Sequence, residues 1–439
     1  MRDMLDFEEA LGRLLAGANP VRETQAVPTH AAAGRILAQG LHSTIDVPPL
    51  DNTSMDGYAV RCADVPAAGT RLVVGQRIPA GSVGHVLAAG TAARIFTGAP
   101  LPAGADAVVM QELCAVDNGG VTVNHVPRPG EWIRRRGEDI AAGAEVLAAG
   151  TRLSAAHVGV AASVGAAQLT VFRRLRVALF STGDELAMPG EPLKPGGIYN
   201  SNRYTLRALL EGLGCEVADL GIVPDSRDAT RTALREAAAA NDLILTSGGV
   251  SVGEEDHVKP AVEAEGSLDL WKIAIKPGKP LAFGSVRREV MPPAQPGAVS
   301  PADGAGALCV PGIPLRGQAT ATETATEAAA AFIGLPGNPV SSFVTFIMLV
   351  RPFILKAQGT SSVTPRAQSL RADFDCKGDP RREFLRARVN AQGGLELFAN
   401  QSSGVLTSCT WADGLIDNPP GQAIRRGDTV RFLPFCELL

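Results

Sequence analysis

Several familiar signatures are missing from this 439-residue chain. Its seven cysteines (Cys62, Cys114, Cys215, Cys309, Cys376, Cys409 and Cys436) are widely scattered. They show no C-x-x-C spacing and their number is odd, which excludes a zinc ribbon or a disulfide framework and favours reduced thiols in a cytoplasmic protein. The six histidines show no metal-ligand spacing, so core or surface roles are expected of them. A net charge of −4 argues against a nucleic-acid binder held by a general basic field. The N-terminal stretch MRDMLDFEEALGRLL is acidic and amphipathic, without the apolar centre of a signal peptide. The longest apolar run, Val340 to Leu355, is interrupted by Ser341, Ser342, Thr345, Arg351 and Pro352. It reads as too short and too broken to span a bilayer, hence as a buried helix. Neither G-x(4)-G-K-[ST] nor G-x-G-x-x-G occurs, so the standard nucleotide fingerprints are absent. Gly249-Val250-Ser251-Val252-Gly253 matches a nucleophile elbow, but the only histidine after Ser251 is His257, six residues on, and no acid stands between them in the required order. A serine hydrolase is set aside.

What is present is an ordinary globular composition, 45% hydrophobic and 20% charged, long enough for two to four domains. The most informative stretch is Asp242 to Gly284. A buried-looking strand ends in Thr246-Ser247-Gly248-Gly249, followed by Glu254, Glu255 and Asp256. A second apolar run, Trp271 to Ile275, delivers Lys276-Pro277-Gly278-Lys279-Pro280. Glycines let the backbone approach a ligand and turn its amides towards an anion. Lysines on a proline-stiffened turn supply point charges for phosphate or another oxyanion, and neighbouring carboxylates suit magnesium. An anion-handling active site is expected.

The chain as a whole reads as multi-domain α/β. Asp6 caps a first helix with Phe7, Leu11, Leu14 and Leu15 on one face. Residues 51–139 carry short β-rich runs separated by Gly, Pro and Asp turns, a β insert domain. Ser154 caps a small-residue helix that is expected to return to the first helix, giving an elongated discontinuous domain of 1–50 and 140–173. Residues 174–358 alternate strands and amphipathic helices, which predicts a parallel α/β sheet. Asp184, Glu185, Asp225 and the glycine turn all follow strand ends, where such sheets bind ligands. Residues 286–331 are a low-complexity Ala/Pro/Gly/Thr insertion, expected to project as a disordered loop. Residues 359–439 read as a small β domain. Taken singly, each of these carboxylates is more often a helix cap or turn residue, Lys276 and Lys279 a solvated turn, and Arg134 to Arg136 a solvated face. Joint placement at strand exits raises them above that reading.

Nine ordered motifs add a resemblance. PPLDNTSMDGYAV, IFTGAPLPAGADAVV, RRRGEDI, STGDEL, SGGVSVGEED, KPGKPLAFG, GLPGNPVSSF, REFLRARV and GLIDNPPG follow the order found in the molybdopterin molybdenumtransferase family, to which the E domain of gephyrin is similar. The match covers nearly the whole chain except 286–331, where the family usually runs through a few residues.

The resemblance implies a central molybdopterin-binding α/β domain, a C-terminal β-barrel, and a homodimer whose active site draws on both subunits. It implies conversion of adenylylated molybdopterin and molybdate into molybdenum cofactor, with magnesium present and AMP released. An upstream molybdopterin adenylyltransferase is the implied partner. Asp56, Thr97, Asp139, Glu185, Asp225 and Asp256 match functional positions, with Glu185, Asp225 and Asp256 expected at magnesium. Gly248, Gly249, Ser251, Lys272, Lys276 and Lys279 are expected at phosphate or molybdate, with Pro336 and Pro339 setting the adjacent turn. Ser341, Arg382 and Ser403 resemble the family's oxyanion contacts, although the register around Arg382 and Arg386 is ambiguous. Asp56 and Asp139 are expected to reach the site from the partner subunit. The competing readings are a metal-dependent phosphohydrolase of a related adenylylated substrate and a non-catalytic scaffold.

Overall fold

The computed structural model describes residues 4–249, 257–288 and 329–439. Ser251, Asp256 and nearly all of the low-complexity insertion lie outside these residues. The chain forms two compact units, one of Met1–Glu23 with Arg173–Leu439 and the other of Thr24–Phe172.

In the first unit a six-stranded sheet is built from β1 (Arg176–Thr182), β2 (Glu216–Val223), β3 (Leu243–Ser247), β4 (Gly266–Lys272), β5 (Pro280–Arg287) and β6 (Ala329–Leu335). Their order is β2-β1-β3-β6-β5-β4. The first four strands in that order are parallel, whereas β5 runs antiparallel to both β6 and β4. The sheet is therefore mixed rather than wholly parallel: apolar alternation marks a strand but carries no information on its direction. Successive side chains of β1 serve two cores. Val177 and Leu179 join one with Leu206 and Leu210 of α2 (Ser201–Gly212), and Ala178 and Phe180 join another with Leu234 of α3 (Arg227–Ala240) and Val258 of α4 (Val258–Glu265).

The apolar run near 340 is a continuous helix, α5 (Pro339–Ala357), of 19 residues with a π turn at Phe346–Val350. Among the described residues it is the one helix long and apolar enough to cross a bilayer, but 89% of its apolar window is buried within the protein. The expected buried role holds, and the expected shortness does not.

The N-terminal helix, α1 (Phe7–Gly17), starts where the Asp6 carboxylate accepts the Glu8 amide at 2.8 Å. Its buried face of Phe7, Ala10 and Leu14 shares a core with α5. The helix at Ala155–Ser163, capped by Ser154 as expected, instead buries Ala161 with Leu37, Leu153, Leu169 and Val171 of the second unit. Its small side chains provide little surface for a helix partner, and the ribbon Thr24–Pro28 with Gln168–Phe172 borders it instead.

Residues 368–434 close a small barrel. Strands Arg382–Val389, Gly414–Asn418, Thr429–Pro434 and Gln368–Arg371 follow one another, Leu395–Leu397 pairs with the first of them, and the bridge Ala372↔Leu395 joins the two ends. Ile275–Lys276 adds to the barrel in parallel beside Arg382 and Glu383, which ties the lysine turn to the barrel wall. The second unit carries a six-stranded sheet with Gly57–Val60 between Ala107–Met110 and Thr91–Ile95.

Candidate active site

Three strand ends and one strand start converge on a cleft of about 590 Å³. β1 delivers Glu185, β3 delivers Gly248 and Gly249, and β6 delivers Pro336, Gly337 and Asn338 ahead of α5. The turn entering β5 delivers Lys276, Pro277, Gly278, Lys279 and Pro280, while the barrel contributes Arg381, Gln401, Ser402 and Ser403. Two links hold these pieces in place: Asn202 Nδ2 donates to Gly337 O at 2.7 Å, and the Val340 amide donates to Ser403 O at 2.9 Å.

Backbone conformation explains the glycines. Gly248 and Gly249 have φ of +90° and +66°, a region that residues with a Cβ rarely adopt, and a Cβ on Gly249 would lie 2.5 Å from Val258 Cγ2. Gly278 has φ +98°, and a Cβ there would lie 2.4 Å from the buried Thr345 Oγ1. The lysine turn therefore rests directly on the first turns of α5. Its Ser341 is buried and lines the cleft.

The cations are not all alike. Lys276 Nζ lies 3.1 Å from both Asp379 Oδ2 and Glu383 Oε1. Burial works against its charge, but the hydrogen bonds to the two carboxylates outweigh this and raise its pKa above that of an ordinary lysine. Arg381 Nε and Nη2 donate to the same Asp379 at 3.1 and 3.3 Å. Burial would raise the Asp379 carboxyl; its bonds from Arg381 and Lys276 prevail and hold it well below the usual carboxylate range. Lys279 is exposed on the cleft rim.

The cleft gathers Glu185, Gly248, Gly249, Lys276, Lys279, Pro336, Ser341 and Ser403 from the expected set. It leaves others out. Lys272 is exposed at the end of β4, where its carbonyl accepts the Leu5 amide, and Asp225 is half-buried after β2 without lining the cleft. Pro339 starts α5 beside the cleft. Arg382 does not line the cleft: its guanidinium donates to Asp417 at 2.6 and 2.7 Å and to Glu8 at 2.6 Å, stacked over Phe7. Arg381, in the bend just ahead of that strand, lines the cleft in its place. Arg386 is buried behind it and donates to Ser402 O and Ser408 Oγ. Asp56, Thr97 and Asp139 belong to the second unit, where Asp56 Oδ1 accepts the Thr97 amide and hydroxyl, both at 2.7 Å. Asp139 is exposed. Asn338, Arg381, Gln401 and Ser402 were not anticipated; only the serine pair at 402–403 and the arginine pair at 381–382 offered a signal.

No group of three or more acidic, His or Cys side chains that could cage a metal occurs among the described residues. Of the acids expected at magnesium, only Glu185 lines the cleft, Asp256 lying outside those residues. A single carboxylate fits magnesium only in the manner of sites completed by substrate phosphate oxygens and water. A second cavity of about 330 Å³ lies at the opposite end of the sheet; there Arg173 and Arg288 are engaged with Asp242.

A glycine turn, a lysine turn and a serine-rich loop around one cleft, at the edge of an α/β sheet, define the class of α/β proteins with a cleft suited to an anionic ligand. The chain matches three family models: the MoeA N-terminal region (domain I and II) over residues 5–165, the probable molybdopterin binding domain over 178–356, and the MoeA C-terminal region (domain IV) over 369–435. It is 36% identical to molybdopterin molybdenumtransferase of Haemophilus influenzae, covering 99% of this chain and 100% of that protein. It is 34% identical to the enzyme of the same name from Nostoc, covering 96% and 91%. The crystal structure of the molybdopterin biosynthesis MoeA protein of Pyrococcus horikoshii superposes with a TM-score of 0.77 at 25% identity, covering 98% of this chain and all of that one. The chain belongs to the molybdopterin molybdenumtransferase family.

Proposed function

We infer that this chain is a transferase that inserts molybdenum from molybdate into adenylylated molybdopterin and releases AMP. The observation that carries this reading is the cleft itself, in which Lys276, Lys279 and Arg381 line, together with the Gly248–Gly249 turn, a space of about 590 Å³ that suits a pterin pyrophosphate. Phosphoanhydride cleavage develops negative charge on the leaving oxygens, and molybdate is a dianion; both need fixed donors and positive charge. Lys279 and Arg381 supply charge, Ser341, Ser402 and Ser403 supply hydroxyls or amides, and the glycine turn admits the phosphate to the backbone. Magnesium, held by Glu185 together with substrate oxygens, would neutralise the pyrophosphate.

The reading extends to a homodimer in which Asp56, Thr97 and Asp139 complete the partner's cleft, to a cytoplasmic location, and to an adenylyltransferase that supplies the substrate. It also keeps the four-domain division of 1–50 with 140–173, 51–139, 174–358 and 359–439. Incubating pure protein with adenylylated molybdopterin, magnesium and molybdate tests the reading through AMP. Molybdate-dependent release supports it. Release indifferent to molybdate supports the phosphohydrolase, and no release supports the scaffold.

A further inference from the structure

Asp379 and Glu383 share one lysine but differ in setting. The Glu383 side chain is 2% exposed, and beyond Lys276 its Oε2 accepts the Asp379 amide at 3.2 Å and Asn418 Nδ2 at 3.3 Å. It is held from the barrel interior. The Asp379 side chain is 16% exposed, and its oxygens engage the two cleft cations, Lys276 and Arg381. Lys276 stands 39% exposed, open on the side that faces the cleft.

We propose that Glu383 and Asp379 are positioning residues with opposite effects on oxyanion binding: Glu383 is the permanent anchor that aims the Lys276 ammonium, and Asp379 is the counter-ion that an incoming oxyanion displaces from Lys276 and Arg381. The proposal rests on the functional reading above, because it concerns the oxyanion that the same cleft would take. An ammonium has three donors. With Glu383 holding one, the others can pass from a carboxylate to molybdate without the side chain losing its direction. A guanidinium can likewise exchange one bidentate partner for another. Ligand-free cations are thereby kept charged and oriented, and weakly basic anions compete poorly against a carboxylate already in place. The charged and titratable groups around Lys276 are Asp379, Glu383 and Cys376, with Arg381, Lys279 and Glu185 on the cleft walls.

The test is molybdate binding by calorimetry to the full chain at fixed pH and ionic strength, comparing wild type with Asp379→Asn and Glu383→Gln. Removing the displaced counter-ion should tighten binding on the order of tenfold, and removing the anchor should weaken it by a similar factor. Shared electrostatic repulsion would make both variants bind more tightly, and a merely structural role would weaken both; either same-sign result overturns the proposal. If Glu383→Gln does not fold, Asn418→Ala removes a donor to the same carboxylate, and unchanged or tighter binding by that variant counts against the anchor. The alkaline limb of molybdate binding gives a second readout, moving to lower pH in Glu383→Gln and not in Ser403→Ala. Wild-type protein that binds no molybdate contradicts the functional reading and the proposal together, whereas same-sign variants on a binding wild type contradict the proposal alone.

Discussion

The carboxylate of Asp56 accepts two hydrogen bonds from Thr97, one from its backbone amide and one from its hydroxyl, each 2.7 Å long. Two motifs 41 positions apart are joined in one acid–hydroxyl pair. The amide of Thr97 and then its hydroxyl bring the Asp56 pKa below that of an ordinary aspartate, against an opposing effect of burial and with a lesser contribution from the charge of Arg94. Thr97→Val retains the amide and removes the hydroxyl, so an NMR titration should show the Asp56 carboxyl moving up towards its ordinary value. An unmoved titration would mean that the hydroxyl contributes nothing to the pair.

Arg381 and Arg382 should separate function from stability. Arg382→Ala leaves Asp417, a 3% exposed carboxylate, without its bidentate partner, and should cost about 3 kcal/mol in urea unfolding. Its folded fraction should bind molybdate like wild type. Arg381→Ala should change stability by less than about 1 kcal/mol and weaken molybdate binding. The reverse pattern would restore Arg382 as the oxyanion contact.

Gly278 has no tolerant substitute. Gly278→Ala combines a φ of +98° with a Cβ 2.4 Å from Thr345 Oγ1, so the lysine turn must shift. Pro277 and Lys279 flank it, so no neighbouring glycine can absorb the change. A loss of about 1–3 kcal/mol is expected, together with weaker molybdate binding. Wild-type stability in this variant would show that the turn is not pressed on α5.

Asp242 supplies an acid-sensitive part of the fold. Burial pushes its carboxyl up, but the bidentate hydrogen bonds from Arg173, the Arg176 amide and the charge of Arg288 outweigh burial and leave it lowered. A carboxyl that is lowered in the folded state stabilises above its unfolded pKa and loses that contribution as pH falls through the folded value. Urea midpoints of wild type and Asp242→Asn should therefore differ most near neutrality and converge in the acid window below the ordinary aspartate pKa. Parallel curves across that window would contradict the assignment.

Much of this was legible in the chain. The glycine turn, Lys276, Lys279 and Glu185 could be placed because a strand followed by small or charged turn residues has few alternatives. Asp6 and Ser154 revealed their helices because a short polar side chain before an apolar period is a local signal. What escaped depends on distant partners. Nothing in REFLRARV or the residue before it says which of two adjacent arginines faces inward, since a shift of one residue exchanges them. Lys272 and Lys276 look equivalent until Leu5 pairs beside one and Glu383 beside the other. α1 carries an apolar face without naming its partner. The insertion is a further case. Arg287 pairs with Ala329, so its flanks leave and rejoin the sheet at the end opposite the cleft, roughly 20 Å away along strands of eight and seven residues. Composition alone could not have located that anchor.

Molybdenum insertion is tested by measuring both products of one reaction. Protein, adenylylated molybdopterin, magnesium and molybdate are incubated; AMP is quantified by chromatography and protein-bound or pterin-bound molybdenum by mass spectrometry. Equimolar AMP and incorporated molybdenum, both abolished without molybdate, is the expected result. AMP released with no molybdenum incorporated would contradict it.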